Sequence, residues 1–327
     1  MGLLNKVRQI FHDIYDNAYQ ISRETDKKRL LLIVDIIGCM LKYSASPNNY
    51  AKFEFYHLNS IQRKTYVTYG LSKKMIQTFN NPAYISVFEN KLRFAEEFKN
   101  VYQRDYLNVT TMGFEEFEKF CQGKDKFICK PIDGSQGTNI KVYHIDNVKK
   151  MYAEIKGNYE SGYMLEEWIQ QHPTLNRIYP DAVNCLRIIT VYDGDEVHFL
   201  TGGVTFGIET EIANGSQASI IAPVNLDTGF MDKPAATFGS ILYEKHPKTN
   251  VKIQGVKIPF WDEVKDMLRT VCKHTPNVGY IGWDVAITPK GPIIIEGNTT
   301  PGYKYYQIPK HLENGIGNRQ IYQRHLK

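Results

Sequence analysis

Three residues near the end of the chain have the types and spacing to hold a divalent cation. They lie in YIGWDVAITPKGPIIIEGNTTPG (280–302), two apolar runs on either side of Thr288-Pro289-Lys290-Gly291, a turn signal. The two-residue period of a strand puts Glu296 and Asn298 on one face. A hairpin centred on the turn pairs residues whose numbers sum to about 579 or 580, which sets Asp284 opposite residue 295 or 296. Two carboxylates and an amide oxygen suit Mg²⁺, which prefers oxygen ligands and keeps several waters. The plainer alternative is a hairpin with its polar residues in water. It is disfavoured because Asp284 and Glu296 interrupt apolar runs, where an unpaired carboxylate is costly to bury.

A second group of residues has the chemistry of phosphate binding. KFICKPIDGSQGTNIKVYHI (126–145) reads as two strands joined by a loop containing Gly134, Ser135, Gln136, Gly137 and Thr138. Glycines let the backbone approach an anion closely, hydroxyls add donors, and Lys130 can set a cation against a phosphate. No GKS or GKT follows, so this is not a Walker A loop, and taken alone a plain hairpin loop is the better reading. YMLEEWIQQHP (163–173) is an apolar strand that turns charged at Glu166-Glu167 and aromatic at Trp168. Where such a strand crosses between lobes, its backbone can meet a nucleobase edge with the carboxylates nearby. His172 is not read as catalytic, because no Ser or Cys nucleophile setting accompanies it. In NCLRIITVYDGDEVHFL (184–200), Arg187 stands among apolar neighbours and calls for an anion, either a phosphate or a developing negative charge. With Asn184 and His172 it is a candidate for substrate binding. Asp193-Gly194-Asp195 is taken as the turn between two strands rather than as a DxD metal motif.

The elements that must position these residues form two textures. Residues 2–22 carry Leu3, Leu4, Val7, Ile10, Phe11, Ile14, Tyr15, Ala18 and Tyr19, the period of an amphipathic helix. A second helix is expected over 27–43, ending before Ser46-Pro47. Its apolar stretch, 29–41, contains Asp35 and is too short to cross about 30 Å of hydrocarbon, so it is expected to be buried. Residues 48–70 are aromatic and basic, 71–79 and 89–99 look helical, and 1–80 is read as a mostly helical unit. Stacking on RNA is weighed against packing for the 48–70 rings and set aside, because no RNP-like strand accompanies them. Beyond Phe98, strands are expected near 126–131, 139–144, 163–168, 184–192, 196–201, 219–224, 279–287 and 292–297, with helices near 113–121, 146–156 and 262–273.

Composition bounds the rest. At 327 residues, 42% hydrophobic and 23% charged, the chain is an ordinary globular protein with about two domains' worth of core. Forty Lys and Arg against 35 Asp and Glu are spread along the chain, so nucleic acid is not expected as a partner. Five cysteines, at 39, 121, 129, 185 and 272, show no CxxC pair, which suits a reducing cytoplasm. No secretory signal or membrane span is read, and the first helix carries too few Lys and Arg to favour a membrane surface. The role of 214–230 stays open.

Taken in order, a Lys-bearing strand, a Gly-rich loop, a Glu-rich crossing strand, a strand Arg and a final Asp followed by Glu-x-Asn resemble the ATP-grasp enzymes over about Lys91–Pro301. KPIDGSQGTNI, EEWIQQHP, NCLRIITV and EGNTTPG look most like the sugar-transfer-associated ATP-grasp family. The resemblance implies an α+β ATP-grasp fold, two subdomains clamping ATP behind a helical N-terminal domain, with divisions at 1–80, 81–165 and 166–327. It implies that Lys91 and Lys130 bind phosphates, that Gly134 to Thr138 close over them, and that Glu166, Glu167, Trp168 and Ile169 receive adenine. Asp284, Glu296 and Asn298 would hold two magnesium ions, and Arg187, with Lys130, would serve the acyl-phosphate step. D-alanine ligases begin with a Rossmann-like domain instead, so acceptor identity does not transfer.

The implied activity is an ATP- and Mg²⁺-dependent carboxylate-amine ligase acting on small molecules, a sugar acid or amino acid of surface polysaccharide or cell-envelope biosynthesis, in possible association with envelope enzymes. Two rivals are carried: a kinase of the same fold acting on a hydroxyl, and a non-catalytic ATP-binding scaffold for a glycosyltransferase.

Overall fold

The computed structural model describes residues 3–134, 139–159, 161–208, 219–237 and 241–326. Helix Leu3–Glu24 buries Ile14, Ala18 and Ile21, and helix Arg29–Tyr43 buries Leu32, Ile36 and Cys39, the stripes expected from a helical period. The second helix is not buried as expected. Ile33 and Met40 are half-buried against the same core, but Leu30, Leu31, Val34, Ile37 and Leu41 face outward, Leu41 83% exposed, because only one side of the helix meets the core. After the break, Ser46 restarts the chain as the N-cap of Pro47–Lys52, its Oγ accepting the Asn49 N–H at 3.1 Å. The aromatic stretch that follows packs inward: Tyr50, Phe53, Phe55 and Tyr66 are all fully buried.

Four strands form the smaller sheet, in the order β1-β4-β2-β3, all antiparallel: β1 (Tyr106–Asn108), β2 (Lys126–Pro131), β3 (Lys141–His144) and β4 (Tyr163–Glu167). Helices Phe114–Cys121 and Val148–Asn158 cover it around Phe117, Phe127, Ile155 and Leu165.

The larger sheet is antiparallel in the order β11-β10-β5-β6-β7-β8-β9. It comprises β5 (Cys185–Tyr192), β6 (Val197–Gly207), β7 (Ser219–Pro223), β8 (Ala235–Ala236), β9 (Leu242–Tyr243), β10 (Tyr280–Thr288) and β11 (Gly291–Asn298). Both faces are covered. Ile188, Ile281 and Trp283 point into a core shared with helix Trp261–His274 and with Phe94 and Phe98, while Ile189, Val191 and Tyr280 point into the core of the N-terminal helices. Burial on both sides explains why these strands read as continuous apolar runs. Among the described residues no helix is long and apolar enough to cross a membrane.

Candidate active site

The β10–β11 hairpin brings the three cation-binding candidates together. Its register sets Asp284 opposite Glu296 and then, past a bulge, Val285 opposite Ile294. Asn298 Nδ2 donates to Glu296 Oε1 at 3.2 Å and to Asp284 Oδ2 at 3.3 Å, so all three side chains meet at one point. On the other side of β10, Arg187 of β5 is the cross-strand partner of Asp284. Its guanidinium takes both carboxylate oxygens, Nε to Oδ1 at 2.5 Å and Nη2 to Oδ2, and lies 3.9 Å from Glu296 Oε1. Among the described residues Arg187 thus meets an anion in Asp284.

One guanidinium faces two carboxylates, and the balance shows in their acidity. Burial opposes charge on Asp284, but Arg187 outweighs it and holds the Asp284 carboxyl low. Burial and the Asp284 charge together push the Glu296 carboxyl up. The two carboxylates, sharing one guanidinium, are together short of positive charge. Two carboxylates and an amide with such a deficit fit a hard, oxygen-seeking cation.

A second ionic centre has the opposite balance. Glu166, 2% exposed on β4, accepts from Arg104 Nε at 2.8 Å and pairs with Arg104 Nη2 at 2.6 Å. Lys130 Nζ and the Tyr102 hydroxyl complete its surroundings. Against the cost of burial, Arg104 and Lys130 lower the Glu166 carboxyl to about 2. Arg104 Nη1 also donates to the Ile294 carbonyl of β11 at 2.8 Å, so one side chain links the two sheets. Arg104 and Tyr102 escape a reading of the sequence, since their partner Glu166 lies more than 60 residues away.

Between the two centres opens a cleft of about 690 Å³, with Lys91, Lys130 and Gly134 on its wall together with Glu296, Asn298 and Thr299. A volume of this order suits a nucleotide-sized ligand. Lys91 opens helix Lys91–Glu97, and Nζ donates to the Gly134 carbonyl at 2.9 Å, tying down the start of the Gly-rich loop. Burial and the nearby Lys130 charge push the Lys91 ammonium down. Ser135, Gln136, Gly137 and Thr138 lie outside the described residues, as do 214–218 of the 214–230 stretch.

Other sequence candidates are placed differently. The Glu166 carboxylate belongs to the buried ion cluster rather than to an open edge, because Arg104 holds it there. Glu167 accepts the Asp105 N–H at 3.1 Å, Trp168 stacks beneath Lys126 Nζ at 3.7 Å, and Ile169 is half-buried past the strand end. His172 caps Pro173–Asn176 by accepting the Thr174 N–H on Nδ1, and it is not among the cleft-lining residues. Neither is Asn184, a buried residue whose Nδ2 donates to the carbonyls of Leu175 and Tyr179 at 2.9 Å.

Residues 70–321 match the family described as sugar-transfer associated ATP-grasp. The chain belongs to that family. Its fold is the α+β ATP-grasp fold, preceded by a mostly helical N-terminal region. No curated protein sequence matches it. Among solved structures, it resembles N5-carboxyaminoimidazole synthase from Aspergillus clavatus at 11% identity and TM-score 0.43, over 67% of this chain and 46% of that one. VanG D-Ala:D-Ser ligase from Enterococcus faecalis aligns at 12% identity and TM-score 0.47, over 74% and 61%. D-alanine–D-alanine ligase from Bacillus anthracis aligns at 12% identity and TM-score 0.46, over 76% and 69%. The chain thus spans about half to two thirds of the length of these proteins.

Proposed function

We propose that this ATP-grasp protein is an ATP- and Mg²⁺-dependent carboxylate-amine ligase working through an acyl phosphate on a small-molecule acid, a sugar acid or amino acid of surface-polysaccharide or cell-envelope synthesis. The observation that carries the reading is the charge deficit at Asp284, Glu296 and Asn298 beside a cleft walled by Lys91 and Lys130. The three oxygen ligands would hold magnesium, which supplies positive charge to screen phosphate oxygens. Lys91 and Lys130, both on the cleft wall, are suited to the same phosphates. A carboxylate oxygen attacks the γ-phosphorus, ADP departs, and an amine nitrogen then displaces phosphate to form the amide. Little side-chain acid-base chemistry is required. The protein contributes alignment and a preorganised charge distribution.

Hydroxylamine tests the reading directly. Mg-ATP and a panel of sugar acids and amino acids should give hydroxamate with ADP release, abolished in Asp284→Ala and Glu296→Ala. A phosphorylated hydroxyl without hydroxamate would establish a kinase instead, and tight ATP binding without turnover on any acceptor would leave a scaffold.

A further inference from the structure

Helix Arg29–Tyr43 is apolar on nearly every side yet lies at the surface. Opposite its buried stripe runs a second one, with Leu30 72%, Val34 61% and Leu41 83% exposed and Leu31 and Ile37 beside them. Helix Leu3–Glu24, packed against it through a short connection, adds exposed Phe11 and Tyr15. Scattered exposed leucines need no explanation, but a continuous stripe on a packed helix pair marks a surface that something covers.

The charges around the stripe indicate what covers it. Lys27, Lys28 and Arg29 stand at one end and Lys42 at the other, all exposed. The single carboxylate of the helix, Asp35, is engaged elsewhere: Arg63 binds its two oxygens at 2.7 and 2.8 Å, and the Tyr50 hydroxyl donates at 2.7 Å. Glu24 and Asp26 are the acids near the first end, fewer than the cations they neighbour. A second copy of the chain is a poor occupant. In a two-fold pairing of the stripe, parallel or antiparallel, each end sets Lys and Arg against Lys and Arg. An anionic surface with an apolar interior answers both features at once.

We propose that this face docks on the anionic leaflet of a lipid bilayer. The helix lies in the membrane plane with Leu30, Val34, Ile37 and Leu41 among the acyl chains, and the terminal lysines extend to lipid phosphates. Fifteen residues rise about 22 Å, too little to span the hydrocarbon, so the helix lies on the membrane rather than through it. The inference is independent of the ligase reading.

Flotation of the full chain with vesicles tests it, alongside light scattering in solution. The protein should float with phosphatidylcholine vesicles containing one third phosphatidylglycerol, and poorly with phosphatidylcholine alone. Val34→Ser/Leu41→Ser should abolish flotation with circular dichroism and melting temperature unchanged, since both side chains lie outside the core. Lys27→Glu/Lys28→Glu should weaken binding to the anionic vesicles about tenfold or more. Absence of flotation on anionic vesicles, equal flotation on neutral ones, or indifference to the serine pair would overturn the proposal. So would a dimer that the serine pair dissociates and that does not float, which would assign the stripe to a second copy.

Discussion

Glu166, behind Lys130, and the Asp284–Glu296 pair, of which Glu296 lines the cleft, are carboxylate centres balanced in opposite senses. Glu166 has two cations and a phenol around one carboxylate, and its carboxyl falls to about 2. Asp284 and Glu296 share one guanidinium, and the Glu296 carboxyl rises. The first centre is complete as it stands and has positive charge to spare, which suits a wall facing phosphates. The second has one guanidinium for two carboxylates, the imbalance on which the proposed cation site rests. Sheet position alone does not distinguish them; the count of charges within reach does.

The comparison breaks most sharply at Asp284. Asp284→Ala should lower turnover by roughly three orders of magnitude, measured as ADP or hydroxamate release, because it removes a cation ligand and leaves Arg187 unpaired. Turnover within a few-fold of the wild type would show that the pair is structural only. Glu166→Gln acts on the other centre and should appear first in stability. Two cations lose their buried partner, at a cost of about 3–5 kcal/mol, read in a urea melt.

Acid should distinguish the centres next. The folded Glu166 carboxyl lies below its ordinary value, so its contribution is complete above about pH 4.5 and is lost as pH falls toward 2. Glu166→Gln should therefore flatten the acid limb of a stability profile, and an unchanged limb would reassign that titration. For Glu296 the sign reverses: its folded carboxyl is raised, so its contribution is complete below its ordinary value and is lost as pH rises through the elevated one. The smallest effect expected follows from this. Metal-free Glu296→Gln should be slightly more stable than wild type at pH 7, by under about 1 kcal/mol given partial solvent screening, and should lose the stabilisation that Mg²⁺ confers on the wild type. A destabilised variant that still responds to Mg²⁺ would remove Glu296 from the cation site.

Much of this was legible where chemistry and pairing are local. The Asp284–Glu296 register follows from a turn between two apolar runs, and β2 occupies the expected 126–131. β6 runs past its expected end at 201 through Gly202 and Gly203, residues that weaken a strand signal. They are strand residues where neighbours crowd the backbone, and a Cβ on Gly203 would stand 2.8 Å from the Ala222 carbonyl oxygen. β1, β8 and β9 are too short to carry a period. The exposure of helix Arg29–Tyr43 was illegible for a different reason: an all-round apolar helix implies burial, whatever does the burying. Arg104 was hidden by distance along the chain, since its site exists only after β4 and β11 have been laid beside it.

That same guanidinium sets a mechanical condition on the cleft. It holds a carboxylate of the smaller sheet and a carbonyl of the larger one, so any rocking of one lobe that keeps both bonds must turn about Arg104. Near such an axle Lys130 and Glu166 travel little, whereas parts of the smaller lobe far from Arg104 sweep the widest arc. Any such rotation would leave the charges at the pivot in register.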